Sequence, residues 1–165
     1  MSIEQAKADI TKWIVEFVEQ PNADLNGWPP CPYARKARLD GMIDIRAGVV
    51  NPLSDLAAIE MDKYDVIAYY YDPMDFSAEE FEQLVQQLNN DFLSPKGLFA
   101  LADHPEAIET VNGVVMNQGT YAIVFLQNLN KLNHFAKLLA RQGYYNNWPE
   151  SYLSELFAGR EDPRT

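Results

Sequence analysis

Apolar residues recur at steps of three and four from the start of the chain. Ile3, Ala6, Ile10, Trp13, Ile14, Phe17 and Val18 fall on one stripe. That spacing predicts an amphipathic helix over residues 2–20. Ser2 and Gln5 form a capping box at its start, and Pro21 stops it. Residues 21–31, rich in Pro, Asn and Gly, read as loop. A short helix is expected from Pro32 to Leu39. In GMIDIRAGVV the pattern changes to alternation, with Ile43 and Ile45 on one side and Asp44 and Arg46 on the other, which predicts a strand. Asn51 and Pro52 then suit the first positions of another helix, with Leu53, Leu56, Ala57 and Ile59 as its apolar side.

DVIAYYYDP is apolar almost throughout and rich in β-formers, which predicts a strand buried on both faces. Ser77 and Glu80 make a second capping box, and Phe76 and Phe81 are spaced as a hydrophobic staple. The stripe Phe81, Leu84, Val85, Leu88, Phe92 follows. GLFALADHP reads as a strand ending at Asp103-His104-Pro105, NGVVMNQG as a loop or hairpin arm, and TYAIVFLQN as a further buried strand. Leu132, Phe135, Ala136 and Leu139 mark a helix ending near Gly143, and a last helix is expected over 149–158. This order implies an α+β fold. One mixed sheet of four to five strands, covered by helices, is expected in a ferredoxin-like arrangement, within a single domain over 1–165. The unit from Met42 to Tyr71 should place its two strands in parallel.

Composition narrows the function classes. The 24 acidic residues outweigh 13 basic ones, a formal charge of −11. Nucleic acid is therefore an unfavoured partner, because its binding relies on Lys and Arg at phosphates. No apolar run has the roughly 20 residues that span a bilayer, so no membrane insertion is expected. MSIEQAKADI has no basic start leading into an apolar core, and one cysteine makes no internal disulfide. Both observations fit a cytoplasmic setting.

That cysteine is where candidate chemistry gathers. Cys31 stands between Pro30 and Pro32, with Arg35, Lys36 and Arg38 close behind. With Pro32 as the first helical residue, Cys31 would cap the helix, where the dipole and nearby cations favour a thiolate. Three readings fit. The stretch is an activated thiol, an anion site in which Arg35 meets a carboxylate or phosphate, or simple packing. His104 ends a predicted strand and would complete a nucleophile–base pair with Cys31. His134 sits on a helix as a boundary residue. Two histidines and one cysteine exclude the Cys₄, Cys₃His and Cys₂His₂ zinc sites. Cys-Pro also has the form of a haem thiolate ligand, but two residues identify no cofactor.

Several short motifs, in this order, resemble those of a bacterial family with no established reaction. Trp13 resembles the family's helix tryptophan, and Cys31-Pro32-Tyr33-Ala34 resembles its Cys-Pro-Phe-Ala motif. Ala102-Asp103-His104-Pro105 is similar to its Phe-His-Pro. The segment from Asn117 to Ala122 is similar to its Asn-Arg-Ser-Pro-Tyr-Pro, which implies roles for Asn117 and Tyr121 in binding. Gln118 replaces the family's arginine, and Phe125 stands where a histidine is expected, so an activity depending on that histidine would be lost. Two function hypotheses follow. In the first, Cys31, His104 and Arg35 form a thiol or small-anion site. In the second, the chain is a non-enzymatic interaction or assembly subunit. Its contact region for a protein partner would be Tyr144, Tyr145, Trp148, Tyr152 and Phe157.

Overall fold

A computed structural model describes residues 2–49, 61 and 63–164. The first apolar stripe forms α1 (Ile3–Trp13), capped by Ser2, whose hydroxyl accepts the Gln5 N–H at 3.3 Å. The helix then runs on as a wider π-helical turn over Ile14–Val18, in which the Glu19 N–H reaches back to the Ile14 carbonyl. The cationic helix α2 is Ala34–Leu39, two residues shorter at its start than the sequence predicts. Residues 31–33 instead form a turn, closed by the Ala34 N–H on the Cys31 carbonyl at 3.2 Å. The helix expected from Asn51 lies outside the described residues.

Strands β1 (Ile43–Ala47) and β2 (Val66–Tyr71) pair in parallel, as expected. The next helix is α3 (Ala78–Leu88), where Ser77 caps the Glu80 N–H at 3.1 Å. The staple residues Phe76 and Phe81 meet with ring centres 5.2 Å apart. Then come β3 (Leu98–Asp103), the short hairpin β4 (Thr110–Val111) and β5 (Val114–Val115), and β6 (Ala122–Asn128). The hairpin turns at Asn112 and Gly113, both with positive φ, the backbone that two-residue hairpin loops require. Helices α4 (Leu129–Arg141) and α5 (Glu150–Leu156) close the chain.

The fold is α+β with a four-stranded mixed sheet in the order β1-β2-β6-β3. β6 lies antiparallel between β2 and β3, so α3 connects two parallel strands across an inserted third. A ferredoxin-like fold shares that split unit. The outer strand departs from it, because β1 precedes the unit and runs parallel to β2.

The period of two along each strand sends alternate residues to opposite faces. Tyr69 and Tyr71, Leu98 and Ala100, Val124 and Leu126 pack beneath α3 with Phe81 and Val85. Ile45, Ala68, Tyr70 and Ile123 face the other way, against Ala6, Ile10 and Ile14 of α1. A third apolar cluster joins Leu25, Val111, Ala136, Leu139, Tyr144, Trp148, Leu153 and Phe157. No helix among the described residues is long and apolar enough to cross a membrane.

Candidate functional site

The α1 face of the sheet is only partly covered. The half-buried Phe125 and Leu101 line a cleft of ≈ 1190 Å³, to which the buried Phe99 and Asp103 also contribute. α3 lines one side, and the C-terminal cluster of α4, α5 and their connection lines the other. Aromatic rings dominate the far wall. Tyr33 stacks on Phe135 at 4.3 Å between ring centres, and the half-buried Tyr145 and Tyr152 pack against the buried Trp148 at 5.3 and 5.7 Å. The near wall carries Trp13, stacked on Phe125 at 6.1 Å. The charged lining is acidic, with Asp40, Asp65, Glu79, Glu82, Asp103, Glu109 and Glu155 against Lys36, Lys131 and Arg160.

At one end of the cleft, two stretches remote in sequence form a single hydrogen-bonded hub. The Asn117 amide donates to Asp103 Oδ1 at 3.3 Å, to the His104 carbonyl at 3.0 Å and to the Ala107 carbonyl at 2.6 Å. Its oxygen accepts the Glu109 N–H at 2.6 Å. Asp103 also accepts the Gln118 N–H at 3.1 Å. Burial pushes the Asp103 carboxyl up to about 6, against the pull of those two donors. Glu109 is pushed further, to about 7, first by desolvation and then by the charges of Asp103, Glu82 and Glu155. The Tyr152 hydroxyl reaches Glu109 Oε2 at 3.5 Å, and burial raises that phenol as well. Two carboxyls able to gain or lose a proton near neutrality therefore border a large aromatic cleft, an arrangement typical of functional sites.

The residues singled out in the sequence divide between this cleft and the scaffold. Cys31 is exposed and lines the cleft. Its thiol is nonetheless pushed up from its ordinary value, because the protein crowded around it outweighs the donated N–H groups of Tyr33 and Ala34. The expected lowering fails for that reason, and because two of the three cations are occupied. Lys36 pairs with Asp40 at 2.5 Å, and Arg38 clamps the buried Glu19 through two bonds of 2.7 and 2.8 Å. Arg35 is exposed and makes no ion pair among the described residues.

His104 is buried, and both its ring nitrogens are committed. Nε2 faces the Pro73 and Phe76 carbonyls at 3.1 and 3.0 Å, and Nδ1 accepts the Glu106 N–H at 3.1 Å. The tautomer protonated at Nε2 satisfies all three contacts. The ring thus tethers the β3 end to the start of α3, and no bond links it to Cys31. Tyr121 is buried, its hydroxyl donating to Asp9 of α1 at 2.6 Å, and Asn117 holds loops together. Of the aromatic contact region expected at the C-terminus, Tyr144, Trp148 and Phe157 are buried within the third cluster, while Tyr145 and Tyr152 are half-buried and line the cleft. Glu109 carries little signal in the sequence, as a single acid between Ile108 and Thr110. No three His, Cys, Asp or Glu among the described residues stand close enough to hold a metal ion.

The chain matches no protein-family model, no curated protein and no solved structure.

Proposed function

We propose that the chain is a binding protein whose cleft takes a molecule with an apolar body and a positively charged group. The observation that carries this reading is the pairing of the half-buried rings of Trp13, Tyr33, Tyr145 and Tyr152 with an acidic rim along one cleft of ≈ 1190 Å³. Ligand sites are concave and mainly apolar, with a few polar groups that fix orientation. Faces of Trp and Tyr attract cations, and they do so more strongly where water is displaced. The carboxylates of Glu82, Glu109 and Glu155 add a field of the same sign. An anionic ligand would meet that field with the cleft lysines Lys36 and Lys131 already paired with Asp40 and Asp65.

The reading is tested by titrating the protein with benzyltrimethylammonium and, separately, with benzenesulfonate, following the fluorescence of Trp13 and Trp148. The cation is expected to give a saturable change and the anion none. Equal responses, or none to either, would overturn it. A thiol-dependent reaction is the second reading, supported by the position of Cys31 on the same cleft, open to solvent.

A further inference from the structure

β3 is an outer strand of the sheet, and its free edge borders the cleft. Proteins usually cover such edges, because unpaired backbone groups invite another strand. Here the cover is partial. The buried Asn89 side chain acts as a piece of missing strand. Its amide donates to the Ala100 carbonyl at 2.9 Å, and its oxygen accepts the Ala100 N–H at 2.7 Å. Further along, the His104 carbonyl is taken by Asn117 and by the Ala107 N–H.

Between these two filled places stands Ala102. In an antiparallel ladder, residues alternate between those that exchange both backbone bonds with the neighbour and those that turn both away. Ala100 turns both towards Asn89, away from β6. Ala102, two residues on and paired in register with Val124, turns the same way. No described side chain or loop bonds its N–H or its carbonyl. It is half-buried and lines the cleft.

We propose that the occupant of the cleft is an extended peptide segment bearing lysine or arginine, which adds to the sheet as a short strand beside Ala102. This deepens the cationic-ligand reading and rests on it. A peptide residue opposite Ala102 would donate its N–H to the Ala102 carbonyl and accept the Ala102 N–H, the mode of recognition called strand addition. Its side chains would alternate between the two walls. The α3 wall offers Glu79 and Glu82, and the α5 wall offers Glu155 and Tyr152. Basic side chains on either side of the strand therefore meet carboxylates. Asn89 limits the added strand to the stretch around Ala102, so side-chain contacts supply most of the selectivity.

The test uses the full chain and the peptide acetyl-Val-Lys-Phe-Lys-Val-amide, beside a form N-methylated at phenylalanine and one with glutamate for both lysines. Affinities are read by calorimetry, and hydrogen exchange is followed at the Ala102 amide. The parent peptide is expected to bind at least about tenfold tighter than either variant and to slow exchange at Ala102. Equal affinity of the parent and methylated peptides, with exchange at Ala102 unchanged, overturns strand addition. If benzyltrimethylammonium still binds in that case, the cationic-ligand reading stands without it. If neither probe binds, both fail together.

Discussion

At the scale of single residues, environment decides chemistry more than residue type does. Cys31 has cations near it in sequence and N–H donors near it in space, yet its thiol is held up rather than down because the cleft wall desolvates it. The midpoint for alkylation of the folded protein by iodoacetamide should therefore lie above the ordinary thiol value of about 8.5. Arg35→Ala should leave that midpoint in place. A midpoint below the ordinary value, rising in the variant, would restore the activated thiol.

Glu109 shows the same effect on a carboxyl. Its folded value of about 7 stands above the ordinary 4.5, so the ionised form is worse accommodated folded than unfolded. Its contribution to stability is present in full below 4.5 and is lost as pH rises through 7. Glu109→Gln should therefore stabilise the protein at about pH 8, by on the order of 1 kcal/mol, and by much less at about pH 5. Urea denaturation at the two pH values reads this directly, and an equal effect at both would count against the assigned environment. None of this could be read along the chain, because Glu82, Asp103 and Glu155 reach Glu109 only through the fold.

At the scale of elements, local signals carried far. The Ser77 cap and the Phe76–Phe81 staple form where the spacing placed them, since both are contacts within a single turn. The parallel β1–β2 pair was legible from a β-α-β pattern. The position of β6 between β2 and β3 was not, because strand order depends on which faces remain to be covered. The role of Asn89 was hidden in the same way, as an asparagine near the end of a helical stripe carries no sign that it completes a sheet edge. Asn89→Ala should leave the buried N–H and carbonyl of Ala100 without partners. Unsatisfied buried groups cost roughly 1–3 kcal/mol each, so a loss of about 2–4 kcal/mol is expected in chemical denaturation. A loss below about 1 kcal/mol would mean that the edge finds other partners. The motifs at 102–105 and 117–122 do converge, but through Asn117 holding loops in place rather than through His104 serving Cys31.

At the scale of the whole molecule, the cleft exists because three apolar clusters cover the sheet incompletely. α3 seals one face and α1 half of the other, which leaves the half-buried Leu101 and Phe125 lining the cleft beside the C-terminal aromatic cluster. Charge then selects the ligand. As pH falls through 7 and then 6, Glu109 and Asp103 take up protons and the rim loses negative charge. Affinity for a cation should weaken over that window, and added salt should weaken it further, since Glu82 and Glu155 are exposed. Binding that is flat across the window would mean that the two carboxyls do not face the ligand.

The most direct test of the cleft as a cation-binding site is amide chemical-shift mapping with benzyltrimethylammonium on the isotope-labelled chain. Shifts confined to the cleft are expected, at Glu82, Leu101, Asp103, Phe125, Tyr152 and Glu155, and they should shrink when Glu82 and Glu155 are changed to glutamine. Shifts scattered over the acidic surface, or concentrated away from these residues, would contradict a cation site in the cleft.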